Sequence, residues 1–459
     1  MQSELFKNIK RVHFIGIGGI GMSGIAEYLA KNGYEVSGSD ANKSDITERL
    51  KTFGIKIFDG HKADYLDDKT ELVIYTAAVK EDNEEYAKAV SLGITAIKRA
   101  KALGEIVNDK FLISVSGTHG KTTTTSMVAK ILIDNNLDPT VFVGGNLSFL
   151  DGSSSRIGNG KVAVVEADEY DRSFLTLKSD VIIITNIESD HLDIYKDLDD
   201  IKDNFVKFCN SGKEGCKIVM NGDDKNVLSI AKDVSKEKIT YGFDDENNFV
   251  IDDITYSEKS CSFKLNDAQV KLSVIGKHNM SNSSAAFIAC KQAGLSDEGI
   301  VNALENFGGV KRRFELKFMN GIKVYDDYAH HPTEVRATLD AARSIALGRI
   351  ITVFQPHLYS RTKDFYKEFS DSFSGTDILI LDKIYPAREN PIEGVTSDLI
   401  LNEFNKNYPK ESYLFEDKSE IFKKLSEIVK DKDIVIFQGA GTITNYCDEY
   451  VSIIKGKHQ

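Results

Sequence analysis

Cysteine is scarce in this chain of 459 residues, and the motifs that cysteine usually builds are missing. The cysteines are odd in number, scattered, and never spaced as C-x-x-C: Cys209, Cys216, Cys261, Cys290 and Cys447. This distribution argues against a disulfide framework and against a zinc site. It favours reduced thiols.

Long apolar runs and an excess of basic residues are missing as well. No apolar run is long enough to span a bilayer, and the first residues lack the apolar segment of a secretory signal peptide. We therefore expect a cytoplasmic protein without membrane insertion. The formal net charge of −12 argues against non-specific nucleic-acid binding. It does not exclude anionic substrates, because a few placed cations dominate locally.

The chain does contain enough apolar sequence for several buried cores, since 41% of its residues are hydrophobic. Strand-like and helix-like segments alternate, which is typical of parallel sheets covered by helices. The length suggests about three domains. We predict an α/β protein with an N-terminal Rossmann-like domain (1–108), a central P-loop ATPase-like domain with a mixed sheet (109–312) and a C-terminal Rossmann-like domain (313–459).

A glycine-rich stretch in the first third has the layout of a phosphate-binding loop. An apolar, β-prone run from Phe111 leads to Gly117, Gly120 and Lys121, and a helix-compatible segment follows. Glycines let backbone N–H groups point at anionic oxygens, and a helix N-terminus adds partial positive charge. Lys121 would reach the β- and γ-phosphates, and the Thr122 hydroxyl would bind Mg²⁺.

This loop departs from the usual P-loop pattern, G-x-x-x-x-G-K-[ST]. Val115 stands where the first glycine is expected, so the loop reads G-x-x-G-K-T. A glycine-rich turn capped by threonines is therefore the alternative interpretation. The strand before the loop and the helix after it favour the phosphate site.

A second glycine motif follows the first predicted strand. Gly16, Gly18 and Gly21 satisfy G-x-G-x-x-G, and Asp40 lies at the end of the next strand. This context favours a bound diphosphate, with Asp40 near a ribose hydroxyl. The motif alone does not separate NAD from another diphosphate nucleotide, and a glycine turn that binds nothing is the alternative. Thr76, after the fourth strand, is a further candidate contact.

Metal-capable side chains follow two continuously apolar strands of the second series. Glu166 comes at the end of one strand, and His191 follows the next. Ligands of open α/β sheets bind outside the carboxyl ends of the strands, where the phosphate loop also opens. Glu166 and His191 are therefore predicted to converge on its Mg²⁺, although each could instead be a helix cap or a solvated loop residue.

Two further groups of polar residues are candidates for ligand binding. Asn279 and Asn282 share one helix face and could read a base edge, but asparagines at a helix N-terminus are equally often caps. In the last third, four predicted strands are each followed by a polar loop. Polar loops at the ends of several strands favour a ligand-binding site, and the Arg and His residues of these loops suit an amino-acid carboxylate.

ATP-driven amide formation is one reaction class that uses a diphosphate site, an ATP–Mg²⁺ site and a carboxylate site together. ATP converts a carboxylate into an acyl phosphate, an amine attacks it, and phosphate leaves. Bringing these anions together requires cations such as Lys121 and bound metal. The alternatives from other classes are an NAD-dependent oxidoreductase fused to an NTPase, and a nucleotide-sugar-binding protein without turnover.

The chain resembles the Mur ligases of bacterial cell-wall synthesis over essentially its whole length. The resemblance rests on these motifs, in order: Gly117-Thr-His-Gly-Lys-Thr-Thr-Thr124, Glu166-Ala-Asp-Glu169, Asn186-Ile-Glu-Ser-Asp-His191, His278-Asn279 and Asp327-Tyr-Ala-His-His-Pro332. It implies ATP and two Mg²⁺ ions as cofactors. It also implies that the first domain holds the UDP of UDP-N-acetylmuramate rather than NAD, and that L-alanine is the incoming amine.

The resemblance further implies roles in the central domain. The ATP phosphates would contact the loop residues Gly117, Thr118, His119, Gly120, Lys121, Thr122 and Thr123, with Lys121 on the γ-phosphate. Thr122 and Glu166 become ligands of one Mg²⁺, and Glu166 with His191 ligands of a second. Asn279 and Asn282 flank adenine.

Roles in the outer domains follow in the same way. Arg312 or Arg313, Asp327 and His330 complete the nucleotide and acyl-phosphate site, and Lys121, His191, Arg313 and His330 are the expected catalytic residues. Tyr328, His357 and Arg361 line the L-alanine pocket. The UDP substrate contacts Gly16, Gly18, Gly19, Gly21, Asp40 and Thr76.

Two positions depart from the family pattern. Leu358 and Thr442 stand where arginine and aspartate are common. The nearest alternative within the family is a ligase that attaches a tripeptide, rather than L-alanine, to the same acceptor.

Overall fold

The computed structural model describes residues 5–189, 194–387 and 389–457 and contains three β-sheets. The chain divides into two compact units. One comprises Met1–Ile254, Phe263–Lys271 and Ser281–Phe307, and the other comprises Thr255–Ser262, Leu272–Met280 and Gly308–Gln459. Among the described helices, none combines the length and apolar character needed to cross a membrane.

The first sheet is entirely parallel. Its strands are β1 (Arg11–Ile15), β2 (Glu35–Asp40), β3 (Lys56–Asp59), β4 (Leu72–Tyr75) and β5 (Thr95–Lys98). The helices of this part are α1 (Ile20–Lys31), α2 (Asp45–Lys51), α3 (Glu84–Ser91) and α4 (Arg99–Val107). The strands pair in the order β3-β2-β1-β4-β5. The strand order reverses at β1, so the first glycine loop opens at the point where such sheets bind ligands.

The second sheet has ten strands. They are β6 (Phe111–Ser116), β7 (Thr140–Leu147), β8 (Ser153–Arg156), β9 (Val162–Glu166), β10 (Val181–Ile184), β11 (Lys217–Asn221), β12 (Glu237–Gly242), β13 (Phe249–Tyr256), β14 (Cys261–Leu265) and β15 (Ala268–Leu272). Their order is β15-β14-β13-β12-β11-β10-β6-β9-β7-β8, and β7 pairs with β8 in antiparallel orientation. The helices are α5 (Lys121–Asp134), α6 (Leu198–Asn210), α7 (Lys225–Ile230), α8 (Lys277–Gln292) and α9 (Asp297–Glu305).

The pairing of β6 determines which residues surround the phosphate loop. This strand lies between β9 and β10, with Val115 opposite Glu166 and Ser116 opposite Ile184. All three strands are almost wholly buried, as continuously apolar parallel strands should be. The carboxyl ends of β6, β9 and β10 therefore meet at one edge of the sheet, as the sequence predicts.

The third sheet is parallel except at one edge. Its strands are β16 (Glu315–Asn320), β17 (Ile322–Asp327), β18 (Ile350–Phe354), β19 (Ile378–Leu381), β20 (Glu411–Leu414) and β21 (Ile434–Gln438). The order is β16-β17-β21-β18-β19-β20, and β16 and β17 form an antiparallel hairpin. Its helices are α10 (Pro332–Ile345), α11 (Tyr359–Ser372), α12 (Asp398–Asn407), α13 (Lys418–Ile428) and α14 (Ile443–Lys457).

Candidate active site

The first glycine loop is fixed by residues at the end of β2. The Gly16 N–H donates to the Ser39 carbonyl at 2.9 Å, and the Gly18 N–H donates to Asp40 Oδ2 at 2.8 Å. Gly16 has φ +82°, a conformation that favours glycine. The carboxylate predicted to lie near a ribose hydroxyl thus already binds the backbone of the loop.

Two further side chains lie against this loop. A Cβ atom on Gly16 would come 2.7 Å from Thr76 Cγ2, which places Thr76 beside the turn, and its contact with a ligand stays a prediction. Gly19 precedes α1 as its N-cap residue. A Cβ atom on Gly21 would come 2.9 Å from Arg99 Nη1, so a guanidinium lies beside the first turn of α1. Sequence reasoning did not select Arg99; its signal is a basic residue directly after the fifth strand.

The phosphate loop depends on two glycines. Gly117 has φ +133°, and a Cβ atom there would collide with the Thr185 hydroxyl. Gly120 has φ +83° and is the N-cap of α5, and a Cβ atom there would come 2.7 Å from Asn282 Oδ1. Backbone conformation and space therefore both require glycine at these positions.

Residues after β10 support the loop from the side. The His119 N–H donates to Asn186 Oδ1 at 2.7 Å, and the Thr185 hydroxyl donates to the His119 carbonyl at 2.6 Å. The Glu188 N–H donates to the Thr118 hydroxyl at 2.8 Å. Sequence reasoning assigned a role in this segment only to its histidine, and it missed Thr185 and Asn186 as supports of the loop.

The Lys121 ammonium points back into its own loop. Its Nζ atom donates to the carbonyls of Gly117 (2.6 Å) and Thr118 (3.1 Å) and to Glu169 Oε1 (2.8 Å). Burial alone would lower the pKa of Lys121, but the nearby carboxylates, Glu169 first, raise it above its ordinary value. The lysine is therefore a permanent cation in the loop.

Thr122 and Glu166 form a pair of oxygen donors beside Lys121. The Thr122 hydroxyl donates to Glu166 Oε1 at 3.0 Å, and the Gly144 N–H donates to Glu166 Oε2 at 2.6 Å. Burial raises the pKa of Glu166, against the lowering effects of Gly144 and Lys121. A hard divalent cation fits this set, because it prefers oxygen donors and would neutralise a desolvated carboxylate. His191 lies outside the described residues, so its predicted place stays a prediction.

The two asparagines of α8 are both buried. Asn279 donates through Nδ2 to the Ile275 carbonyl at 2.8 Å. The amide oxygen of Asn282 lies close to Gly120, because a Cβ atom on Gly120 would come 2.7 Å from it. A role beside a nucleotide base remains a prediction for both.

Polar residues gather at the carboxyl end of β17. The ring of Tyr328 lies under two guanidinium groups, with its centroid 4.7 Å from Arg312 Cζ and 5.2 Å from Arg313 Cζ. Arg312 donates to the Gly439 carbonyl at 2.8 Å, and Arg313 Nη1 lies 3.6 Å from Glu334 Oε1. Cation–π contact with Tyr328 orients both guanidinium groups.

Two histidines of this unit lie close together. His330 Nδ1 is 2.9 Å from the Tyr328 carbonyl and donates to it, which makes Nε2 the acceptor of the neutral ring. Burial lowers the pKa of His330, although Glu334 acts in the opposite direction. The ring centroids of His330 and His357 are 5.8 Å apart, and Arg361 Nη1 lies 3.4 Å from His357 Nδ1.

Tyr385 is a neighbour of His357 that sequence reasoning did not assign. Its ring stacks on that of His357 with centroids 5.8 Å apart, and its carbonyl accepts the Leu358 N–H at 3.0 Å. Leu358 has φ +72°, an uncommon conformation for leucine that this loop holds in place. Thr442, the other departure from the family pattern, accepts a hydrogen bond from Gln355 at 3.1 Å.

Comparison with protein-family models gives three matches in sequence order. The model described as "Mur ligase family, catalytic domain" matches residues 11–111. The "Mur ligase middle domain" matches residues 115–290, and the "Mur ligase, glutamate ligase domain" matches residues 312–441.

Individual proteins also match over almost the whole chain. A UDP-N-acetylmuramate–L-alanine ligase of Acetivibrio thermocellus is 46% identical over 443 residues, which are 95% of this chain and 94% of that protein. A UDP-N-acetylmuramate–alanine ligase structure from Thermotoga maritima superposes with a TM-score of 0.81 at 30% identity, covering 97% of this chain and 99% of that one. A murein peptide ligase structure from Psychrobacter arcticus reaches 0.67 at 26% identity, covering 96% and 98%.

Proposed function

This chain belongs to the Mur ligase family, and on that premise we propose that it joins L-alanine to the carboxylate of UDP-N-acetylmuramate, with conversion of ATP to ADP and phosphate. The observation that carries the proposal is the phosphate loop, in which Lys121 lies beside the oxygen donors Thr122 and Glu166. The substrates are those named for its relatives. The reaction belongs to bacterial peptidoglycan synthesis.

The chemistry has two steps that balance without a further reactant. A carboxylate oxygen of UDP-N-acetylmuramate attacks the γ-phosphorus of ATP, and ADP leaves. The alanine nitrogen then attacks the acyl carbon and loses a proton, and phosphate leaves with that carboxylate oxygen and takes up the proton. Lys121 supplies the positive charge that brings the two anions together and stabilises the transferring group.

We assign two Mg²⁺ ions to the same loop. Thr122 and Glu166 would hold the first, and Glu166 with His191 the second. Bound metal would neutralise the negative charge of the phosphates. The assignment is supported by the half-buried Glu166 carboxylate, whose hydrogen bond from Thr122 a cation would replace.

The remaining roles divide between the outer parts of the chain. We propose that the loop Gly16–Gly21, with Asp40 and Thr76, binds the UDP diphosphate, and that Arg99 adds the missing positive charge there. Asn279, Asn282, Arg312, Asp327 and His330 are proposed nucleotide contacts. Tyr328, His357 and Arg361 are proposed to line the L-alanine pocket, with Arg313 and His330 near the reacting groups.

The proposal also covers the domain boundaries and the cellular location of the protein. Domain boundaries after residues 108 and 312 leave one sheet in each domain, which supports them. A cytoplasmic location suits the five cysteines, all of which are buried free thiols.

The test is the substrate dependence of phosphate release from ATP. We expect release only when UDP-N-acetylmuramate, L-alanine and Mg²⁺ are all present, and none after chelation of the metal. Lys121→Ala is the inactive reference, and Lys130→Ala, on the same helix but paired with Asp134, is the matched control that keeps activity.

Two results would contradict the assignment. A tripeptide used far better than L-alanine would identify a murein peptide ligase. Hydride transfer to or from a nicotinamide would point to an oxidoreductase instead.

A further inference from the structure

We infer that Glu169 is a positioning residue that holds the Lys121 ammonium in the phosphate loop, and that a nucleotide must displace this carboxylate to bind. The inference rests on the proposed function, because it assumes that the loop binds the β- and γ-phosphates of ATP. It assigns different tasks to the two glutamates of the segment Glu166-Ala-Asp-Glu169.

The contact between the two charges is direct and shielded. Lys121 Nζ donates to Glu169 Oε1 at 2.8 Å, and the two side chains are only 14% and 4% exposed. A charge-assisted hydrogen bond at this distance, in a water-poor setting, is among the stronger single contacts in a protein. A phosphate oxygen that takes the same ammonium must therefore compete with a carboxylate already in place.

Contacts of neighbouring residues fix the backbone around Glu169. The Tyr195 hydroxyl, on a buried ring, donates to the Glu169 carbonyl at 2.5 Å. Asp171 and Arg172 both have positive φ, +52° and +53°, which requires support from the surrounding structure. The Arg172 guanidinium gives such support by stacking on Tyr195, with Cζ 5.0 Å from the ring centroid.

Glu166 does not share this task. Its two carboxylate oxygens accept from the Thr122 hydroxyl and from the Gly144 N–H. One glutamate thus lies at the proposed metal position, and the other neutralises the lysine until phosphate arrives. Without Glu169, the carbonyls of Gly117 and Thr118 would still accept hydrogen bonds from the ammonium, but they would hold it less firmly and would not neutralise its charge.

The experiment measures nucleotide affinity of the Glu169→Gln enzyme by calorimetry in EDTA, so that metal binding does not contribute. We expect ADP and a non-hydrolysable ATP analogue to bind about tenfold more tightly than to the wild type. AMP, which lacks the β- and γ-phosphates, should bind equally to both. Loss of a merely structural residue would not raise affinity.

Matched variants sharpen the result. Glu188→Gln removes a negative charge that lies 3.4 Å from His119 in the same loop, and it should change ADP affinity less than about twofold. Glu169→Asp keeps the charge but withdraws it by one methylene, and should give intermediate tightening. Glu169→Asp also replaces Glu169→Gln as the test variant if thermal unfolding shows that Glu169→Gln does not fold.

The outcomes separate the two hypotheses. Unchanged or weaker ADP binding by folded Glu169→Gln or Glu169→Asp enzyme would overturn the proposed displacement of Glu169 by phosphate. An equal increase in affinity for AMP would overturn it as well. A loss of affinity seen only when Mg²⁺ is present would make Glu169 a metal-site residue instead. A wild type that binds no ADP even with Mg²⁺ present would refute the proposed function, and with it the displacement of Glu169 by phosphate.

Discussion

Asp327 is buried at the end of β17, where the Thr338 hydroxyl and the Phe314 N–H donate to its carboxylate. Burial raises the pKa of Asp327 from its usual 3.8 to about 6, and these donors and Arg313 only partly offset the effect. The folded protein therefore holds this proton more tightly than the unfolded chain does. The resulting stabilisation is complete below the unfolded pKa and is lost as the pH rises through the folded one.

Substitution of Asp327 by asparagine should remove this pH dependence. Between about pH 4 and pH 6.5, the wild-type free energy of unfolding should fall more than that of Asp327→Asn, by at most about 3 kcal/mol. Chemical denaturation across this range measures the difference. Exposed Asp340→Asn, on α10, is the control and should follow the wild type. Parallel curves for all three proteins would show that Asp327 does not titrate in this way.

Sequence reasoning at the residue scale succeeded where neighbours along the chain or along paired strands define the contact. Thr122 follows Lys121 directly, and Glu166 ends the strand beside the loop, so their proximity could be predicted. Glu169 and Arg99 could not be placed, because their contacts depend on how a loop turns after a strand. That path is determined by tertiary packing rather than by local pattern.

At the scale of elements, the phosphate loop joins a buried strand to a helix through two residues that only glycine suits. Gly120 has φ +83° and faces Asn282, whereas Gly152 has nearly the same φ, +75°, with nothing within 4 Å of a Cβ atom. Comparing Gly120 with Gly152 therefore separates two effects of a substitution: strain in the backbone conformation, and steric collision of the added side chain.

Alanine at the two positions should therefore have different effects. Gly152→Ala should lose about 1 kcal/mol of stability, since an L-residue is strained at positive φ, and Gly120→Ala should lose more, because its Cβ atom also meets Asn282. Only Gly120→Ala should also lose activity, by at least about tenfold, because its Cβ displaces the loop at Asn282. Thermal unfolding and steady-state kinetics measure the two effects. Equal losses of activity would show that contact with Asn282 does not matter.

The strands themselves were largely predictable. Apolar, β-prone runs predict strands over residues 11–15, 350–354 and 434–438, and β1, β18 and β21 have these limits. The antiparallel edge strand β16 was not predicted. Its signal is present, because Asn320-Gly321 joins it to β17 and Gly321 has φ +71°, as a tight hairpin requires. The alternation of apolar and polar residues in β16 is weak, because the strand is half-exposed and buries no residue fully. The strand was therefore not recognised from its sequence.

At the scale of the whole molecule, the sequence correctly indicated an α/β protein of the Mur ligase family. The order of strands within each sheet could not be derived from the sequence, because pairing between distant segments is a property of the folded chain. The structure contains three sheets, and the predicted division into three domains stays a proposal. The predicted roles of the site residues remain proposals, and His191 is the one that lies outside the described residues.

The central claim is that ATP activates a carboxylate as an acyl phosphate before the amine attacks. Mass spectrometry of the phosphate released from UDP-N-acetylmuramate labelled with ¹⁸O in its carboxylate tests this most directly. We expect one ¹⁸O atom in each phosphate, because the carboxylate oxygen that attacks phosphorus leaves with it, and none in ADP. Unlabelled phosphate, or label in AMP, would contradict it.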